Sequence, residues 1–146
     1  MNQFLHGVTQ AVAQTFTLPD TMLEIGAYQV QGQEYYSNLR KLFPHHEYQG
    51  LDMRKGPGVD ILGNVEDLPM EDNSVGTVIA LNLFEHVRCF WKGFDEVYDL
   101  VTNKNFDKKF YAKVKIAAKK LQKTYPDALG GNIEYFFKIF RIFLFH

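Results

Sequence analysis

The chain of 146 residues holds a single cysteine, a single tryptophan and only two serines, Ser37 and Ser74. The lone Cys89 excludes an internal disulfide, and without paired cysteine spacing no thiolate zinc site can be read; a reducing cytoplasm fits. Neither serine stands in a nucleophile elbow. No His-Glu-x-x-His run occurs, and the adjacent His45 and His46 diverge on either a helix or a strand. Sustained apolar runs are also missing. The opening "MNQFLHGVTQAVAQTF" lacks the basic start and apolar stretch of a signal peptide or membrane span, and is expected to form an amphipathic helix.

What is present is ordinary for a globular protein, with apolar residues at 46% and charged residues at 23%. A chain of this size buries about 68–70% of its unfolded surface, enough for one core and too little for two full domains. The net charge of -1 conceals an asymmetry: residues 1–100 carry 6 Lys+Arg against 14 Asp+Glu, and residues 101–146 carry 10 against 3. The expected division is therefore a core over 1–101 and a basic, aromatic tail over 102–146.

Within the core, strand and helix signals alternate. Thr21 to Gly26 is a short apolar run ending at glycine. Gln33 to Phe43 has helical spacing through Tyr36, Leu39, Leu42 and Phe43, and Glu47 to Asp52 is a second strand candidate. Val59 to Leu62 is a brief third strand between turn-forming Gly and Pro residues. The apolar, β-branched "VGTVIALNLF" reads as a fourth strand, and "FWKGFDEVYDLV" restores helical spacing. This order matches one half of a doubly wound α/β sheet. Past Val101 the alternation stops: "NKNFDKKFYAKVKIAAKKLQKTY" reads as a lysine-rich helix and "IEYFFKIFRIFLFH" as an aromatic, basic tail.

In open α/β sheets ligands bind beyond the carboxyl ends of the strands. Those ends hold Glu24 and Gly26 after the first strand, Asp52 after the second, Asn64, Val65 and Glu66 after the third, and Asn82 after the fourth. Gly26 lets a ligand approach backbone without a Cβ in the way. Asp52, 26 residues further on, can accept both hydroxyls of a ribose. Each feature has a plainer reading. Gly26 can be a strand-end glycine, Asp52 a turn residue, Asn64 a turn former and Glu66-Asp67 a solvated pair.

Taken together, the stretch from "LEIGAYQVQGQ" through "YQGLDMRKGPGVDILGNVEDLPMEDNSVGTVIALNLFEHV" resembles the N-terminal half of class I S-adenosylmethionine-dependent methyltransferases. The acid-x-Gly opening, the Asp after strand two, "EDLP" with "DNSV", and a fourth strand leading to "EHV" come in that family's order, over about residues 20–100. The resemblance implies a Rossmann-like α/β fold with a partial parallel sheet flanked by helices. It also implies a methyltransferase that transfers the methyl group of S-adenosyl-L-methionine to an acceptor.

By that resemblance, Glu24 would face the methionine end of the cofactor through water, with Gly26 and Ala27 making the close backbone turn. Asp52 would take the ribose hydroxyls and Met53 would lie against the adenine. Asn64 and Val65 would read the adenine edge, with Asn64 where the family commonly has Asp, and Leu81 and Asn82 would close the site. Tyr28 departs from the commoner Gly-x-Gly, which a cofactor without a pyrophosphate tolerates better than a dinucleotide does. No metal and no catalytic residue is implied. His86 could act as a base toward an acceptor or hydrogen-bond locally at a helix start, and Cys89 reads as a packed small apolar group.

Family members continue into a Pro-Gly-Gly turn, a fifth strand and a closing hairpin, where this chain has "DLVTNKNFDKKF". A truncated or shifted reading frame would explain the change near residue 100, and so would divergence. The expectations are a small-molecule acceptor, no nucleic acid, an unprotected edge beside strand four, poor activity of this chain alone and self-association through residues 133–145. The alternative from another class is a non-catalytic remnant that binds cofactor weakly or a partner protein through its tail.

Overall fold

A computed structural model describes residues 3–101 and 144–145. The lysine-rich helix and most of the aromatic tail expected from the sequence lie outside these residues. The described chain builds a sheet in the order β3-β2-β1-β4-β5, where β1 is Met22–Ile25, β2 Tyr48–Asp52, β3 Ile61–Leu62, β4 Thr77–Ala80 and β5 Leu144–Phe145. The first four strands are parallel, and β5 pairs antiparallel with β4 through Val78 and Ile79. The fold is thus mixed α/β, with a four-stranded parallel sheet flanked by helices, as expected of a Rossmann-like domain.

Side-chain alternation sorts the strands onto two faces. Met22 and Ile79 with Tyr48 form one core with Ala11, Val12 and Phe16 from the region of α1 (Gln3–Thr15), joined by Leu39 and Phe43. Leu23, Ile25, Leu51, Val78 and Ala80 form the other, against Val97 and Leu100 of α3 (Phe90–Leu100). Each such buried aliphatic side chain contributes about 1.5–3 kcal/mol relative to exposure. Thr9 is buried within α1 and satisfies its hydroxyl by donating to the Leu5 carbonyl at 2.9 Å.

Four expected boundaries change for local reasons. The helix expected over Gln33–Phe43 divides into α2 (Glu34–Ser37) and a 3-10 turn (Leu39–Leu42), because Asn38 leaves helical geometry at φ -87, ψ 78. The third strand shrinks to Ile61–Leu62, since the amide of Asp60, in the loop before it, bonds the Gly50 carbonyl of β2 at 2.8 Å, outside the Leu51–Ile61 ladder. The fourth strand ends at Ala80 because Asn82 turns left-handed at φ 51. The edge expected to lie open beside it carries β5 instead. Val101, expected to continue α3, bridges in parallel to Val75.

Candidate functional site

The carboxyl ends of β1, β2 and β4 open into a cleft of about 710 Å³. That volume lies within the range of small-molecule sites, roughly 300–1,000 Å³. Gly26 forms its floor at φ 84, a left-handed conformation that L side chains rarely adopt. The Gly26 and Ala27 amides both donate to the Leu51 carbonyl, at 2.8 and 3.1 Å, so the turn after β1 is tied to the end of β2. Ala27 itself is buried and turns away from the cleft toward Gly50.

Two acidic side chains enter the cleft from the same sheet face, because Glu24 is in register with Gly50 and Asp52 lies two residues beyond it. Glu24 is only 6% exposed and accepts a hydrogen bond from the Tyr48 hydroxyl at 2.8 Å. Burial pushes its carboxyl up to about 7, against the lowering effect of that bond and of Arg40, with Asp52 adding a small upward push. The same burial, with the charge of Glu24 beside it, raises the Tyr48 phenol.

Asp52 is 8% exposed and is held by backbone donors. The Tyr28 amide donates to its Oδ2 at 3.3 Å and the Arg54 amide to its Oδ1 at 2.9 Å. The Arg54 Nε also reaches Oδ1 at 3.3 Å, while its guanidinium lies 4.3 Å from the centre of the Tyr28 ring. Tyr28 therefore does not block the cleft as a missing glycine would suggest. Its ring packs on Gly56, where an added Cβ would fall 2.4 Å from Cε2, and its amide orients the carboxylate.

Gly50 permits this interlock. An added Cβ there would lie 2.0 Å from the Gly58 carbonyl oxygen and 2.8 Å from the Ala27 Cβ. The Gly50 amide donates to Asp60 Oδ2 at 2.8 Å, and Arg40 forms an ion pair with the same carboxylate. The loop from Met53 to Asp60 is thus laced to β2 and to the turn after β1.

On the far wall, the Asn64 Oδ1 accepts the Glu66 amide at 3.0 Å, an Asx turn that shapes the segment after β3. Glu66 Oε1 in turn accepts the Cys89 amide at 3.1 Å just before α3. Val65 is buried beside them, Met53 is 72% exposed at the rim, and Leu81 and Asn82 border the end of β4. Among the described residues no cluster of three or more potential metal ligands occurs. The His46 Nε2 instead pairs with the Leu18 carbonyl oxygen at 3.2 Å.

No family model matches the chain and no curated protein matches it. The structure is similar to that of a presumed S-adenosyl-L-methionine-dependent methyltransferase from Methanococcus maripaludis. The TM-score is 0.50 at 13% identity, over 90% of this chain and 70% of that one. The fold is methyltransferase-like.

Eight residues singled out in the sequence, Glu24, Gly26, Asp52, Met53, Asn64, Val65, Leu81 and Asn82, line this one cleft; Ala27 does not. Sequence reasoning missed Tyr48 and Arg54. Tyr48 stands at the amino end of β2, far from the usual ligand end, and only the alternation of β1 and β2 brings it under Glu24. Arg54 follows Asp52 by two residues, and that short spacing was the available signal.

Proposed function

We propose that this cleft binds S-adenosyl-L-methionine and that the chain belongs to a methyl-transferring system acting on a small-molecule acceptor. The observation that carries the reading is the disposition of Glu24 and Asp52. They are two buried carboxyl groups on one sheet face, flanking the left-handed Gly26 turn at the carboxyl ends of β1 and β2. A ligand with a diol on one side and a cationic end on the other suits that pair.

In this reading Asp52 accepts the ribose hydroxyls with lone pairs that the Tyr28 and Arg54 amides leave available. Met53 lies against the adenine, Asn64 and Val65 meet its edge, and Leu81 and Asn82 close the site from β4. Glu24 faces the cationic end through water, Gly26 supplies the close backbone surface, and Ala27 contributes only its amide to the turn. The cofactor supplies an electrophilic sulfonium methyl group, so the chain needs no nucleophile of its own. Its residues contribute by holding the ligand in place, and alignment of acceptor with methyl can be worth roughly 7–11 kcal/mol.

Calorimetric titration with S-adenosyl-L-methionine and S-adenosylhomocysteine tests this directly. Saturable one-site binding is expected, and the absence of heat or competition at millimolar ligand would refute it. A second reading, a cofactor-binding remnant without turnover, is favoured by one feature. Among the described residues, the strand on the outer side of β4 is a two-residue antiparallel pairing. Labelled cofactor with a broad acceptor panel separates the two readings.

A further inference from the structure

The cleft has an outer wall that the proposed cofactor residues leave unused: Val30, Ser37, Leu83, His86, Val87 and Arg88. Asn82 creates it. Its left-handed φ of 51 turns the chain off the end of β4, and the 3-10 turn Phe84–His86 carries Leu83 to Arg88 along the mouth. Leu83 and Val87 are half-buried and apolar, whereas His86 and Arg88 are exposed.

Among the described residues, Arg88 is the one Arg, Asp or Glu side chain lining the cleft that has no partner, although Glu24 and Glu66 meet neutral donors only. Arg54 pairs with Asp52, Arg40 pairs with Asp60, and Glu66 is occupied by the Cys89 amide. Glu24 sits in its hydrogen bond with Tyr48. Arg88 has no ion pair or hydrogen bond among the described residues, although residues 1–100 carry 14 acidic side chains against 6 Lys+Arg. In so acidic a stretch, a guanidinium without a partner among the described residues, on a cleft wall beside apolar Leu83 and Val87, is free to pair with an anionic ligand. A guanidinium offers a planar fork of donors that fits a carboxylate or phosphate with two parallel hydrogen bonds.

We infer that the outer half of the cleft takes a small organic anion, with its carboxylate or phosphate on Arg88 and its apolar body against Leu83 and Val87. This names the acceptor class for the methyl-transfer reading and rests on that reading for the occupant of the inner half. An acceptor so held would lie on the mouth side of the cofactor, with its charged end away from Glu24 and Asp52.

The probes are benzoate and phenyl phosphate, compared with neutral benzamide and benzyl alcohol. Each is titrated into isotope-labelled protein followed by amide chemical shifts, with and without S-adenosylhomocysteine. The expected result is at least tenfold tighter binding of the two anions, with shifts concentrated at Leu83–Arg88 and an affinity that falls as salt is raised. Arg88→Gln should abolish the preference and Arg88→Lys should retain part of it; both changes are at an exposed position. Equal affinity for charged and neutral probes, no anion binding at millimolar concentration, or an anion preference that survives Arg88→Gln would each overturn the inference. Failure of S-adenosylhomocysteine to bind would instead remove the cofactor reading, and the anion preference measured without it would stand or fall separately.

Discussion

The Tyr48 hydroxyl donates to Glu24 Oε2 across 2.8 Å, joining the first residue of β2 to the third residue of β1 beneath α1. The bond gives a buried carboxyl one partner inside the fold. It does not offset the full cost of ionising it there, and burial holds the Glu24 carboxyl well above the usual carboxylate range.

Stability should therefore depend on pH through Glu24. Its carboxyl is raised from 4.5 to about 7, so the unfolded chain releases the proton first. The folded state is favoured fully below about 4.5, loses ground as pH rises to about 7 and is level above that, by at most about 3 kcal/mol. Urea unfolding at pH 5 and pH 8 is expected to show this loss in the native chain. In Glu24→Gln the loss should be largely gone, and an equal slope in both proteins would contradict the assignment.

Asp52 should matter to the cofactor more than to the fold. Asp52→Ala is expected to weaken S-adenosyl-L-methionine by about 1.5–3 kcal/mol, the range for hydrogen bonds to a charged group. Because the carboxylate also orients the Tyr28 and Arg54 amides, Asp52→Asn is the better control, keeping an acceptor for the loop while removing the charge. Unchanged calorimetric affinity in both variants would place the ribose elsewhere.

Asn64 should tolerate Asp and reject Leu. Either Asn or Asp can accept the Glu66 amide in the Asx turn and still present an acceptor to the adenine edge, whereas Leu can do neither. Asn64→Asp is expected to bind S-adenosylhomocysteine at least as well as the native chain, and Asn64→Leu more weakly. Equal affinities across the three would exclude the contact.

Gly50→Ala should be among the most damaging small changes in the chain. Its new methyl would meet the Gly58 carbonyl at 2.0 Å, backbone that cannot rotate aside. Overpacking of this kind costs about 1–3 kcal/mol or more. Gly32→Ala has open space around it and only the strain of φ 83, a cost of about 1–2 kcal/mol. Thermal melts should rank Gly50→Ala clearly below Gly32→Ala.

The architecture was legible where sequence signals were long or paired. "TMLEIG", "EYQGLD" and the apolar run through Val78 gave the three central parallel strands, and Glu24, Gly26 and Asp52 could be placed at their ends from order alone. The helix after Gln33 was misjudged because hydrophobic spacing continues through Asn38, where the backbone breaks. The pairing of Leu144 and Phe145 with β4 could not be read from two residues without alternation. Nor could Arg54's stacking on Tyr28 be foreseen, since it requires the loop over Gly56 to fold back on the turn after β1.

That short edge pairing leads to a further expectation. Removing residues 144–146 would uncover the main-chain donors and acceptors of Val78 and Ile79, and an unpaired edge invites pairing with another chain. Light scattering should show greater self-association of the shortened chain than of the full one. Equal, monomeric behaviour of both would mean that β4 is protected by other means.

The common face shared by Glu24 and Asp52 makes β1 unforgiving to changes of length. Adding or deleting one residue between Met22 and Ile25 would reverse the alternation of everything after it, sending the carboxyl of Glu24 into the apolar layer beside Val97 and Leu100 and an aliphatic side chain into the cleft. Between Val30 and Gln33, where the chain is exposed and no strand register depends on it, the same insertion would cost only a slightly longer loop. Length variation in this protein should therefore be tolerated in the second segment and selected against in the first.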